Sequence, residues 1–411
     1  MRRGLESSVL ILVTLGLVAF GLVMVYSATS ASAALANGDP AYYLKRQAIY
    51  AVLGLVLMVV CSRIDFRALR ALAPVLMVSS AALLLAVLVI GRAANGASRW
   101  ISFGPLVFQP SELAKLALAV WAAGYLARRK PPRNLAELWR PIGLVTIVFC
   151  GLILVEPDLG TAIAIVVMLA AMLLVAGTPG RTLGAGLGIV GTLGLFAVWL
   201  EPYRRARLFS FLNPWQDAQG AGFQTVQAMI GLGSGGIFGV GLGQSVQKTN
   251  YLPEAHTDMI FAIIGEELGL VGATAVIAAY CVFAYLGLKI ALSCKDPFGK
   301  RLAAGLTALV CGQAAINLAA VMGLAPLTGI PLPFVSYGGS SLVVALACVG
   351  ILLNIAGNAG AGARSAGVPD RGRRDGRSRP ARARNRSGAA RPRSTRDVRR
   401  VAGSRRGATG S

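Results

Sequence analysis

The stretch Leu252-Pro253-Glu254-Ala255-His256-Thr257-Asp258-Met259-Ile260-Phe261-Ala262-Ile263-Ile264-Gly265-Glu266-Glu267 passes abruptly from polar, Pro-punctuated chain to an apolar run that continues to about residue 288. About 20 apolar residues suffice to cross a bilayer as a helix. The run therefore predicts a membrane span with Asp258 at its mouth and two carboxylates, Glu266 and Glu267, roughly two turns inside. Ionisable groups at that depth are costly and need partners, and arginines of the preceding loop are the candidates.

Nine further apolar runs lie outward of it, at about 9–28, 47–62, 71–91, 111–127, 141–156, 159–177, 183–200, 302–323 and 339–357. Together they predict an all-α polytopic membrane protein of about ten transmembrane helices. The composition agrees: of 411 residues 55% are apolar and only 14% charged, where a soluble chain carries about 25% charged residues. Mean hydropathy is +0.65. A cytosolic enzyme with an ordinary polar surface is excluded. The first run, Val9 to Val25, exceeds the 7–15 residues of a signal-peptide core and reads as an uncleaved anchor. Six Cys without a CxxC spacing, and one His, argue against both a Cys/His zinc site and a disulfide framework.

With the N-terminus inside, 15 of the 24 Lys/Arg before residue 364 fall in inner loops, and both termini are cytoplasmic. The long segment 201–258, between spans 7 and 8, is then extracytoplasmic. It is rich in Gly and aromatic residues, and is expected to fold back as short helices and re-entrant pieces. Residues 1–363 form the membrane domain. Residues 364–411 hold 16 Arg and 3 Asp and are expected to be a disordered cytoplasmic tail. Its expected partner is anionic inner-leaflet lipid, with nucleic acid the lesser reading.

Five outer clusters carry the candidate chemistry. In the first, Arg99 and Trp100 precede Gln109-Pro110-Ser111-Glu112 and Lys115. Ser111, Glu112 and Lys115 share one helix face, either as a capped helix with an internal ion pair or as a site for an anion such as phosphate. In the second, Glu156-Pro157-Asp158-Leu159-Gly160 makes a tight turn that is structural or ligand-binding. In the third, Arg204 and Arg207 match phosphate oxygens, or pair with headgroups or carboxylates. In the fourth, Asp258 is either a general base for a substrate hydroxyl or a helix N-cap, and His256 is either structural or acid–base. In the fifth, Ser336 and the Gly338-Gly339 pair open the last span, where backbone N–H groups could hold an anion or simply break the helix.

The motifs Ser98-Arg-Trp-Ile101, Gln109-Pro-Ser-Glu-Leu-Ala-Lys115, Glu156-Pro-Asp-Leu-Gly160, Leu252-Pro-Glu-Ala-His-Thr-Asp258 and Pro331-Leu-Pro-Phe-Val-Ser-Tyr-Gly-Gly-Ser-Ser341 resemble, in order, those of the SEDS family of bacterial shape, elongation, division and sporulation proteins. The similarity spans residues 9 to 357. Val25-Tyr-Ser-Ala28, Tyr43-Leu-Lys-Arg-Gln47 and Gly338-Gly-Ser-Ser341 look most like the division branch, with a sporulation paralogue as the alternative. Met259 departs mildly from the aromatic residue common after the family's Asp. The resemblance implies a peptidoglycan glycosyltransferase of the plasma membrane and division septum. It would polymerise lipid II with Asp258 as the general base and undecaprenyl pyrophosphate as the leaving group. Arg99, Trp100, Gln109, Ser111, Glu112, Lys115, Arg204, Arg207, Glu254, His256, Ser336, Gly338 and Gly339 are the candidate substrate-binding residues, and a divalent cation, Mg or Mn, is a candidate cofactor. A class B penicillin-binding protein transpeptidase and other division proteins are the implied partners. A lipid II flippase and a non-catalytic division scaffold are the rival readings.

Overall fold

A computed structural model describes residues 4–94, 97–103, 106–248, 252 and 255–365, all within one compact unit, Met1–Gly367. The 366–411 part of the Arg-rich tail lies outside the described residues, as does Glu254. Helices α1 (Leu5–Asn37), α2 (Tyr42–Arg63) and α3 (Phe66–Ile90) lead to a small antiparallel sheet, β1 (Arg92–Ala94), β2 (Ala97–Phe103) and β3 (Leu106–Phe108), in the order β1-β2-β3. Then come α4 (Pro110–Arg128), the turn α5 (Leu135–Leu138) joined through a π-turn to α6 (Leu144–Val155), α7 (Leu159–Ala176) and α8 (Gly180–Leu200). The segment after α8 holds α9 (Pro202–Leu212), a 3₁₀ turn (Pro214–Asp217) and α10 (Phe223–Ser234), which are the short helices expected there. Three long helices finish the fold: α11 (Ile260–Ser293), α12 (Pro297–Val321) and α13 (Gly339–Ser365).

The ten predicted spans match α1–α4, the α5–α6 unit, α7, α8 and α11–α13. Nine of these, among the described residues, are long and apolar enough to cross a membrane, so this is a multi-pass membrane protein. The tenth, α4, has 19 residues, about 28 Å at 1.5 Å per residue. Its hydropathy is lowered by Glu112 and Lys115, which it can carry because that face is buried within the bundle. α4, α12 and α13 form the interior, whereas α8 buries Thr182 and little else. The sheet was not predicted: its strands are three to seven residues long and give too little periodicity to register in a sequence.

Short side-chain bonds tie the helix ends. Asn354 of α13 accepts from Phe66 N at 3.0 Å and donates to Ser62 O at 3.0 Å, which locks the α2–α3 turn. Asp158 caps α7 by accepting from Thr161 N, and Asp296 caps α12 by accepting from Phe298 N.

The decisive irregularity is in α11. Gly269, at φ +64°, ψ −160°, interrupts it, a conformation that only glycine adopts without strain. Backbone at membrane depth must find partners. Here the segment after α10 supplies them: Val240 N and Gly241 N donate to Glu266 O and Glu267 O, and Leu270 N and Val271 N donate to Gly236 O and Ile237 O, all at 3.0–3.1 Å. A Cβ at Gly269 would also stand 2.4 Å from Gly239 N and 2.5 Å from Ile237 O. Gly269→Val is therefore expected to cost about 2 kcal/mol or more, read as a fall of several degrees in the unfolding midpoint of the purified protein in detergent.

Candidate active site

Asp258 sits immediately before α11, whose N-cap position is Met259. Asn317, nearly fully buried on α12, holds the backbone here, donating from one Nδ2 to Asp258 O at 2.7 Å and to Ile330 O at 2.8 Å. Gly329, with φ +73°, lies against the carboxylate: a Cβ there would be 4.0 Å from Asp258 Oδ2. The Asp258 side chain also accepts from Thr257 Oγ1 at 3.2 Å and is partly exposed. The sequence contained one signal for Asn317, a lone Asn deep in an apolar span, since a buried amide must be bonded.

His256 packs between the rings of Tyr43 and Tyr337, with centroids 4.7 and 5.3 Å away. Its carbonyl accepts from Tyr337 N at 2.9 Å. Burial lowers its pKa to about 4, so at neutral pH it is an uncharged packing residue that fixes the approach to Asp258.

The predicted partners of Glu266 and Glu267 need correcting. They are not arginines. Glu267, fully buried, accepts from Lys248 Nζ at 3.2 Å and from Ser27 Oγ at 2.8 and 2.7 Å. Glu266 accepts from Ser245 Oγ and from Val246 N at 3.0 Å. These bonds fasten the segment that leads into residues 249–258 onto α11 and α1.

A cavity of about 360 Å³ has Arg204 and Arg207 in its wall, with Pro157, Ile316, Leu327 and Thr328, and Thr328 directly precedes Gly329, the residue near Asp258. Arg207 donates to Leu327 O at 3.3 Å; Arg204 donates to Leu154 O at 2.7 Å and Ala197 O at 3.2 Å. Arg99, on β2, donates to Glu156 O at 2.7 Å and to Pro157 O. Among the described residues neither Arg99 nor Arg204 forms an ion pair with a carboxylate. Both carboxylate oxygens of Glu156 are buried without a hydrogen-bond partner. Burial and neighbouring Asp158 push its pKa up to about 8 against the pull of Arg99, so it does not neutralise that arginine at pH 7. Arg99 and Arg204 thus rest on backbone carbonyls.

The remaining predicted residues make the following contacts. Lys115 and Glu112 form a fully enclosed pair at 2.8 Å, the internal ion pair of the structural alternative, and Ser111 is buried beside them. Gln109 donates to Asp158 Oδ2 at 3.2 Å. Trp100 is half-buried in β2 opposite Arg92. Ser336 Oγ accepts from Leu332 N at 2.8 Å. Gly338 N donates to Gln47 Oε1 at 3.4 Å. Gly339 permits close approach of Tyr50, whose ring a Cβ would meet at 2.4 Å. The start of α13 packs against α2 and is partly exposed. Among the described residues no three His, Cys, Asp or Glu side chains gather to hold a metal ion.

The fold and site define a helical membrane protein with a carboxylate at the mouth of a broken helix, near a cationic cavity. The family model described as "Cell cycle protein", covering FtsW, RodA and SpoVE, matches residues 7–360. The chain belongs to this family, the SEDS proteins, and within it is most like FtsW. It is 42% identical to the probable peptidoglycan glycosyltransferase FtsW of Geobacter metallireducens, covering 84% of this chain and 93% of that protein. It is 40% identical to stage V sporulation protein E of Bacillus subtilis, covering 84% and 95%. A solved structure on the coordination of polymerization and crosslinking by a peptidoglycan synthase complex aligns with TM-score 0.72 and 33% identity, covering 85% of this chain and 97% of that one. The rod shape determining protein RodA of Thermus thermophilus aligns with TM-score 0.62 and 30% identity, covering 85% and 96%.

The depressed pKa of His256 has a consequence for stability. Between pH 6.5 and 4 the unfolded chain takes up a proton that the folded site refuses, so the neutral imidazole's contribution is present above pH 6.5 and lost on acidification. The stability difference between wild type and His256→Gln is expected to shrink by about 3 kcal/mol from pH 7 to pH 4, measured by denaturant unfolding in detergent.

Proposed function

We propose that this protein is a peptidoglycan glycosyltransferase that polymerises lipid II into glycan strands for septal wall synthesis, with Asp258 as general base. The observation that carries the reading is the position of Asp258. It stands at the entrance to α11, is fixed through its backbone by Asn317, and lies close to Gly329, which follows Thr328 in the wall of a cavity lined by Arg204 and Arg207. The relatives' names, peptidoglycan glycosyltransferase among them, support the same chemistry.

In this reading the acceptor sugar's 4-hydroxyl gives its proton to Asp258 as its oxygen attacks the donor's anomeric carbon. The bond to undecaprenyl pyrophosphate breaks, and the leaving group departs with the electron pair. Single displacement turns an α-linked donor into a β-linked product. A pyrophosphate needs no acid to leave, so one carboxylate suffices where glycosidases use two. Developing negative charge on the pyrophosphate is met by Arg204, Arg207 and Arg99. Lys115, closed in its pair with Glu112, shapes the start of α4 instead. The active site faces the extracytoplasmic side, both termini are cytoplasmic, and a class B penicillin-binding protein crosslinks the strands as they form.

Purified Asp258→Asn is expected to polymerise lipid II at least about 100-fold more slowly than wild type, while unfolding at the same temperature. Arg204→Gln should slow it by about tenfold or more through loss of a charge-stabilising donor. Glycan made by Asp258→Asn at the wild-type rate would remove the base assignment, and lipid II translocation by that variant without polymerisation would favour a flippase. Complementation of a division defect by the inactive variant would favour a scaffold.

A further inference from the structure

The end of the bundle away from Asp258 holds a second cavity that catalysis does not use. It encloses about 500 Å³ between the α5–α6 unit, α7 and α8, a size that suits a small organic ligand or a lipid chain. Ile142, Leu169, Leu173, Leu183 and Leu187 make up much of its wall. Among its described lining residues, polar side-chain atoms belong only to Trp139, Arg140 and Thr146, and the Thr146 hydroxyl is already bonded to Ile142 O at 2.6 Å. Trp139 and Arg140 are exposed, so they stand where the cavity meets its surroundings. The cavity has a weak outer wall, because α8 buries only Thr182 of its 21 residues.

Arg140 lies in the cavity wall, and the segments that lead into α5 and α8 are basic. Arg128, Arg129, Lys130, Arg133, Arg140 and Arg181 are all exposed, and among the described residues none of the six forms an ion pair. Across 128–140 the one acid is Glu137, which accepts from the backbone N–H of Arg133 at 2.8 Å. An apolar chamber with an exposed arginine in its wall and basic segments leading to it matches one kind of molecule, an amphiphile with an anionic head. Basic pockets between membrane helices recognise lipid headgroups on the same terms, and tryptophan and arginine side chains bridge the boundary between hydrocarbon and water.

We propose that this corner is a binding site for an anionic phospholipid, with one acyl chain inside the α6–α7–α8 cavity and the phosphate on Arg140 and its neighbouring cations. The lipid would complete the wall that α8 leaves open. The site is independent of the glycosyltransferase reading, since it lies at the opposite ends of α6 and α7 from Glu156 and Asp158.

The full chain, reconstituted in phosphatidylcholine membranes, would be titrated with spin-labelled phosphatidylglycerol or spin-labelled phosphatidylcholine, and the motionally restricted fraction measured. Wild type is expected to prefer phosphatidylglycerol. Arg140→Gln should lower that preference by about fivefold and leave phosphatidylcholine association unchanged. Ala170→Phe, which fills the cavity, should remove the preferred site while the charge remains. The Arg-rich tail is identical in all three proteins, so its own attraction for anionic lipid cancels from the comparison. An unchanged preference in Arg140→Gln would overturn the proposal. So would an unchanged preference in a folded Ala170→Phe, which would reduce the effect to a diffuse surface field. Displacement of the labelled phosphatidylglycerol by stoichiometric undecaprenyl phosphate, but not by unlabelled phosphatidylglycerol, would reassign the cavity to a polyprenyl ligand and overturn it equally.

Discussion

A carboxylate withdrawn from water inside a membrane bundle must be met by donors, and two such groups, Glu266 and Glu267, organise this protein. Breaking a buried pair by removing one partner costs several kcal/mol, so the elements that supply the partners are held as firmly as the core. Lys248, Ser27 and the backbone N–H groups near Ser245 are those partners. Their positions tie the segment after α10 to α11 and α1. The same segment repairs the backbone where Gly269 opens the helix. One short region thereby settles both the electrostatics and the hydrogen bonding of the half-helix that follows Asp258.

That anchoring has a functional reading. The peptide of Asp258 is held from α12 by Asn317, and its neighbour His256 is packed between Tyr43 and Tyr337. A base gains from a fixed backbone, because positioning the proton acceptor lowers the barrier. Arg99 and Arg204 follow a related logic. They are oriented by bonds to backbone carbonyls at helix ends and turns, as suits donors that meet a departing anion. Lys115 shows the opposite arrangement, a cation closed against Glu112 and removed from any ligand.

Much of the fold was legible because lipid imposes a simple rule on sequence: apolar stretches of spanning length become helices. All ten expected spans are present as helices, and Asp258, Arg204 and Arg207 were already conspicuous as charges beside them. Other readings needed coordinates. That Gly338 and Gly339 pack against Gln47 and Tyr50 of α2 is visible only in the coordinates. Glu266 and Glu267 invite arginine partners until Lys248 and Ser27 take that place.

Local sequence thus determined the class of protein and the residues worth testing, because hydropathy and charge are properties of a chain segment alone. Only the tertiary structure decided which charges are spent and which are available. Whether Arg99 rests on a carbonyl and whether Asn317 reaches Asp258 depend on how separate elements pack. Hydrogen bonds between residues tens to hundreds of positions apart leave no periodic trace in the sequence that forms them.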